Sequence, residues 1–131
     1  MIGLDTNVLV RYLVQDDAAQ SAKATQFIER QLSPAEPGFI SAVVMAETAW
    51  VLRRSYGWAG SELASILERI LQADALVVEA EEQVSEAVAA LKVGAGSFTD
   101  ALIGALARKA GCSHTVTFDR KALRLEGFEL A

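Results

Sequence analysis

Short apolar runs alternate along this chain with longer segments in which apolar residues recur every three or four positions. The short runs have the length of strands, and the longer segments have the period of amphipathic helices. This alternation indicates an α/β domain with a mostly parallel sheet, because a helix must carry the chain back before the next strand can pair in parallel. The predicted strands are residues 1–4, 39–40, 76–78, 114–118 and, at one edge, 128–130. The predicted helices are residues 7–14, 17–32, 42–55, 61–71, 84–91 and 99–110.

The length of 131 residues fits a single domain, which we predict to span residues 1–131. Hydrophobic residues make up 52% of the chain, enough for a continuous core, and no internal repeat or long linker divides it. The opening residues lack the basic and apolar regions of a signal peptide. The most apolar stretch, residues 39–52, contains Glu47 and is too short to span a bilayer. We therefore expect a cytoplasmic protein without a membrane segment.

The formal net charge of −5 argues against a generally basic surface for nucleic acid. The charges are nevertheless unevenly distributed. Residues 108–124 contain five basic side chains and a single acidic one, whereas four glutamates crowd into residues 79–86. The charge pattern therefore permits a polyanionic substrate without predicting one.

Three aspartates are predicted to lie at the starts of helices. Asp5 and Asp119 each follow a predicted strand, and Asp100 falls in the first turn of the last long helix. In a parallel sheet, the functional crevice lies beyond the carboxyl ends of the strands. Taken singly, Asp5 and Asp119 are also ordinary helix caps, and the helix dipole favours a carboxylate at Asp100. Position alone therefore leaves both interpretations open.

Glu47 has apolar neighbours one helical turn away on either side. These are Val43, Val44, Trp50 and Val51, so we expect the carboxylate to lie in or beside the core. Burying an unpaired carboxylate costs several kcal/mol, so this position would require a cation or a metal ion. The alternative is a helix edge from which Glu47 extends outward.

Together these carboxylates form the kind of ligand set that Mg²⁺ and Mn²⁺ prefer. A divalent cation in such a site activates a water and stabilises the charge that develops during cleavage of a phosphodiester. The candidate catalytic and metal-binding residues are Asp5, Glu47, Asp100 and Asp119.

Polar and basic residues near these acids in the sequence fit supporting roles. Hydroxyl and amide side chains can orient metal ligands or waters, and basic side chains can hold RNA phosphates. The candidates for orienting ligands are Thr6, Asn7, Ser97 and Thr117. The candidates for RNA binding are Arg11, Arg120 and Lys121, for which an ordinary solvated surface charge is the alternative.

The candidate acids lie in four short segments: Leu4-Asp5-Thr6-Asn7-Val8-Leu9-Val10-Arg11, Met45-Ala46-Glu47, Asp100-Ala101-Leu102-Ile103 with Ala105-Leu106-Ala107, and Thr117-Phe118-Asp119. In this order and spacing, the segments resemble those of the PIN-domain family, and most of all the VapC-type toxins of bacterial toxin–antitoxin pairs. The resemblance covers essentially the whole chain.

The resemblance implies a three-layer α/β/α domain with a mostly parallel central sheet. It also implies endonucleolytic cleavage of RNA with Mg²⁺ or Mn²⁺, homodimerisation, and inhibition by a small antitoxin protein whose tail covers the active site. The family's metal-binding acids match Asp5, Glu47, Asp100 and Asp119. Many relatives carry a further acid at the position of Ser97, so one metal ion is expected here and a second is left open.

Two other functions compete with this one. The first is a Mg²⁺-dependent phosphatase with Asp5 as nucleophile, although such enzymes usually carry a second acid where this chain has Asn7. The second is a non-catalytic module that keeps the fold and only binds a partner. The four acids argue against this module, and the missing acid at Ser97 keeps it open.

Overall fold

Every strand pairing in the structure, a computed structural model that describes residues 1–131, is parallel. The five strands are β1 (Ile2–Gly3), β2 (Gly38–Ile40), β3 (Leu76–Val78), β4 (Thr115–Thr117) and β5 (Phe128–Leu130). The six α-helices are α1 (Thr6–Val14), α2 (Ala18–Gln26), α3 (Ala42–Arg54), α4 (Gly60–Gln72), α5 (Glu81–Lys92) and α6 (Phe98–Lys109). The predicted α/β class with parallel strands is confirmed.

The strands form two sheets. One has the order β1-β2-β3, with Gly3 opposite Phe39 and Phe39 opposite Val77, and the other pairs β4 with β5. The predicted strand 128–130 is confirmed, as the partner of β4. Pattern alone predicted one sheet, because it does not specify which strands share hydrogen bonds.

Local chemistry explains where the helices begin and end. The Ser41 hydroxyl accepts from the Val44 N–H at 3.1 Å, which caps α3 as predicted. The Gly111 N–H donates to the Arg108 carbonyl at 3.0 Å, and the positive φ of 98° at Gly111 ends α6 without a steric penalty.

The second helix differs from its predicted course over 17–32. Its α-helical part ends at Gln26, and residues Phe27–Gln31 form a π-helical turn, with the Leu32 N–H donating to the Phe27 carbonyl at 3.3 Å. Ile28 and Leu32 are nevertheless buried, as the periodicity predicts. The wider turn therefore changes the hydrogen bonding but keeps the apolar face on the core.

The core lies where the helices meet the three-stranded sheet. Leu63, Leu67 and Ile70 of α4 are buried at the spacing of one helix face. Helix α3 packs against both α1 and α6, so it connects the segments that contain three of the four candidate acids. None of the helices combines the length and the hydropathy that crossing a membrane would need.

Thr48 on α3 is fully buried, at 0% exposure, and its hydroxyl has no hydrogen-bond partner. An unsatisfied buried hydroxyl lowers stability, because the folded protein does not replace the hydrogen bonds that it made to water. The sequence alone gave no sign that this hydroxyl would be buried without a partner.

We predict that Thr48→Val, which keeps the shape and removes the hydroxyl, raises the free energy of unfolding by about 1 kcal/mol. Urea denaturation measures this change. Thr25→Val is the matched control, because the Thr25 hydroxyl accepts from Gln15 Nε2 at 3.0 Å and its removal gives no such gain. If Thr48→Val lowers the free energy of unfolding as much as Thr25→Val does, the prediction is wrong.

Candidate active site

Asp5 lies two residues after β1, at the start of α1. Its backbone is extended, and its Oδ1 accepts from the Thr6 N–H at 2.9 Å. The carboxylate is exposed and is in no ion pair. The capping interpretation of Asp5 is therefore correct, and a second carboxylate oxygen remains free for a ligand.

Asp119 repeats this arrangement after β4. Its Oδ1 accepts from the Lys121 N–H at 2.9 Å and so caps the 3₁₀ helix Arg120–Arg124. Its own N–H donates to the Thr117 hydroxyl at 3.0 Å. Thr117 thus fixes the backbone that presents Asp119, and its role in orienting metal ligands or waters stays a prediction.

Asp100 occupies the first turn of α6, and the Ser97 hydroxyl accepts from its N–H at 3.1 Å. Ser97 is therefore the cap that begins this helix. The Asp100 carboxylate is half-buried and has no protein partner within the hydrogen-bond network.

Asp100 and Asp119 line one cavity of about 340 Å³. Ser97, Lys121 and Arg124 line the same cavity. Two acids that can hold a divalent cation thus face the same space as two bases that can hold a phosphate. Below, this space is called the acidic cavity.

The expectation for Glu47 was wrong in one respect. The side chain is exposed, not beside the core, because its neighbours Val43 and Trp50 are themselves 65% and 54% exposed. Arg54 lies over the Trp50 ring, 5.5 Å from its centre, so this face of α3 points to solvent. Apolar residues in the sequence were therefore not a reliable sign of a buried face.

The structure does not gather all four acids. Asp5 and Glu47 lie outside the acidic cavity, and no group of three or more Asp, Glu, His or Cys side chains is close enough to share a metal ion. Mg²⁺ is nevertheless commonly held by one or two carboxylates together with several waters. Asp100 and Asp119 fit this mode of binding by the chemistry of their donors.

The remaining predicted supporting residues lie near Asp5. The Thr6 hydroxyl is buried and has no hydrogen-bond partner, and Asn7 lines a separate cavity beside β1. Thr6 follows Asp5 directly in the chain, and no hydrogen bond within the protein accounts for its buried hydroxyl.

Arg11, predicted to bind RNA, is instead engaged within the protein. Its guanidinium donates to Gln20 Oε1 at 2.8 Å, to Asp16 Oδ1 at 3.1 Å and to the Tyr56 hydroxyl at 3.4 Å. The Tyr56 hydroxyl in turn donates to Asp16 Oδ2 at 2.6 Å. Below, Arg11, Asp16 and Tyr56 are called the arginine network.

Of the other predicted basic residues, Lys121 lines the acidic cavity and Arg120 does not. Sequence reasoning missed Arg124, which lines the cavity from the end of the 3₁₀ helix. The concentration of basic residues in 108–124 was the signal that could have identified it.

The arginine network shifts the titration of its members. The hydrogen bond from Tyr56, followed by the attraction of Arg11, lowers the pKa of Asp16 below its ordinary value of 3.8. The same bond to Asp16 raises the pKa of Tyr56 above 10.0. The ionised Asp16 carboxylate therefore adds to the free energy of unfolding. This contribution is fully present above pH 3.8 and is lost as the pH falls through the pKa of Asp16 in the folded protein. The contribution of the neutral Tyr56 hydroxyl is present below pH 10.0 and is lost as the pH rises through the pKa of Tyr56 in the folded protein.

We predict that Tyr56→Phe lowers the free energy of unfolding at pH 7, and that the difference from wild type narrows as Asp16 becomes protonated. Urea denaturation between pH 2 and pH 7 measures both quantities. A difference that stays constant over the whole range would mean that the bond to Asp16 contributes nothing to stability.

The chain is similar to known proteins over most of its length. The PIN domain family model matches residues 2–127. A VapC ribonuclease of Aquifex aeolicus (strain VF5) is 29% identical over 126 residues, which cover 96% of this chain and 92% of that protein. No solved structure matches the chain significantly. Because the family model matches nearly the whole length, the chain belongs to the PIN domain family.

Proposed function

We propose that this protein is a metal-dependent endoribonuclease. Its similarity to a VapC ribonuclease over most of both chains supports ribonuclease activity. The acidic cavity is the observation that carries the proposal, because Asp100 and Asp119 line it together with Lys121 and Arg124. A metal-dependent phosphodiesterase needs both a place for a divalent cation and a place for the phosphate that the cation activates.

Each side chain of the cavity has a distinct part in this chemistry. A bound Mg²⁺ or Mn²⁺ supplies water activation and stabilisation of developing charge. Asp100 and Asp119 hold the cation through carboxylate oxygens, and Thr117 keeps the Asp119 backbone in position. Lys121 and Arg124 attract the phosphate of the RNA backbone.

Asp5 at the start of α1 and Glu47 on α3 lie outside the acidic cavity in this structure, and we propose them as further metal ligands. Both are exposed and free of ion pairs, so neither is committed to another charged partner. Their role as metal ligands is carried over from the family resemblance and rests on motif position. Ser97 supplies a helix cap in place of a further acid, so the proposal includes one metal ion.

The biological setting follows from the same similarity. We propose that the protein is the toxin of a toxin–antitoxin pair, that it acts in the cytoplasm as a homodimer, and that a cognate antitoxin inhibits it. The similarity to a VapC ribonuclease supports this setting.

The first test is cleavage of a mixed RNA pool with Mn²⁺ or Mg²⁺, compared with the same reaction in excess chelator. We predict discrete fragments only with metal, and a loss of about a hundredfold or more in Asp100→Asn, because the amide is a poor ligand for a hard cation. Glu81→Gln is the matched control, since Glu81 occupies the first turn of α5, far in sequence from the candidate acids. Thermal unfolding by circular dichroism confirms that both variants fold.

The competing functions give different outcomes in this test. Hydrolysis of a small phosphomonoester without RNA cleavage would support the phosphatase. Absence of both activities, with no metal binding by calorimetry, would support a binding module.

Metal binding also has a readout in stability. At a free metal concentration a hundredfold above the dissociation constant, we predict an increase of about 2.7 kcal/mol in the free energy of unfolding. Asp119→Asn should reduce this increase while keeping the fold. A melting temperature that does not respond to either metal would exclude the proposed site.

A further inference from the structure

A second cavity, of about 650 Å³, lies beside β1 and between α1 and α2. Its volume is in the range of sites that bind small organic ligands. Gly3 and Leu4 contribute one wall, directly before Asp5, and Asn7 lies two residues after Asp5. The cavity therefore lies beside the backbone that presents Asp5. Below, it is called the amide cavity, for the side chains described next.

The charge of the amide cavity is opposite to that of the protein as a whole. Its lining contains Arg11 and Lys23 and no acidic residue, although the chain has a net charge of −5. Asp16 balances Arg11 within the arginine network. Lys23 is exposed and forms no ion pair, so its charge is available to an anion.

Amide side chains provide the hydrogen-bonding capacity of this cavity. Asn7, Gln26 and Gln31 line it, and none of their side chains is hydrogen-bonded to the protein. Each amide offers a donor and an acceptor, which is the combination that the edge of a nucleobase requires. Gln20, a further lining amide, is already bonded to Arg11 and helps to hold it in place.

Phe27 adds an aromatic surface to the same lining. It is half-buried at the start of the π-helical turn and packs against the core on one side. Proteins that bind single-stranded RNA commonly stack a base on an aromatic side chain and read its edge with polar groups. The amide cavity contains an aromatic ring, free amides and an unpaired cation.

We propose that the amide cavity binds one nucleotide of the RNA substrate. The base stacks on Phe27 and bonds to Gln26 or Gln31, while Lys23 attracts the phosphate. This inference rests on the proposed function for the identity of the substrate, but nucleotide binding can be measured without cleavage.

The test is NMR titration of the isotopically labelled 14.0 kDa protein with each of the four nucleoside monophosphates. We expect chemical-shift changes at Asn7 and along residues 23–31, and tighter binding of one or two of the bases. Inorganic phosphate serves as the reference ligand. If phosphate alone reproduces all the changes, or if no nucleotide shifts these residues, the inference is wrong.

Variants separate the contributions to binding. Lys23→Ala should raise the dissociation constant of the preferred nucleotide about fivefold, as expected for one solvent-exposed charge. Lys92→Ala is the matched control, because Lys92 lies on α5 and pairs only with Glu68. Phe27→Leu keeps an apolar contact with the core and should weaken binding roughly tenfold, whereas Phe27→Tyr keeps the aromatic ring and the affinity.

RNA cleavage by these and further variants tests whether the cavity contributes to catalysis. The double variant Gln26→Ala/Gln31→Ala should raise KM for RNA and change the distribution of cut sites, with kcat largely retained; Gln72→Ala is its control. Nucleotide binding without RNA cleavage by the wild type would contradict the proposed function and leave the cavity assignment standing. RNA cleavage that is indifferent to all these variants would overturn the assignment and leave the function standing.

Discussion

Parallel pairing of the strands is the constraint on which the rest of this structure depends. A strand that ends at one edge can be followed by a parallel neighbour only after a long connection, and here helices provide most of these connections. Helix starts therefore gather at the carboxyl ends of strands. Asp5 and Asp119 stand at such junctions, and Asp100 lies in the first turn of α6. At these helix starts an acidic side chain can stabilise the helix and remain accessible to a ligand.

The sequence predicted the elements well because their signals are local. Apolar spacing identified α4, a serine identified the start of α3, and a glycine identified the end of α6. The division of the strands into two sheets depends on hydrogen bonds between distant segments. So does the bond between Asp16 and Tyr56, which are 40 residues apart, and local patterns do not encode it.

The candidate site was predictable in its residue types and only partly in its geometry. Asp100 and Asp119 share a cavity, as functional acids should, and both are also part of a helix start. A helix cap and a metal ligand are not exclusive roles, because one carboxylate has two oxygens and can serve both purposes. Glu47 was misjudged because Val43 and Trp50, apolar in sequence, are exposed in the fold.

The caps at Asp5 and Asp119 affect how many waters a cation bound by these carboxylates would keep. In each carboxylate, Oδ1 already accepts a backbone N–H, so only the other oxygen is fully free for a cation. Ligands that each contribute a single oxygen leave most of the coordination sphere of Mg²⁺ to water. If the proposed site holds Mg²⁺, Asp119 would therefore contribute one oxygen, and waters would make up most of the other ligands.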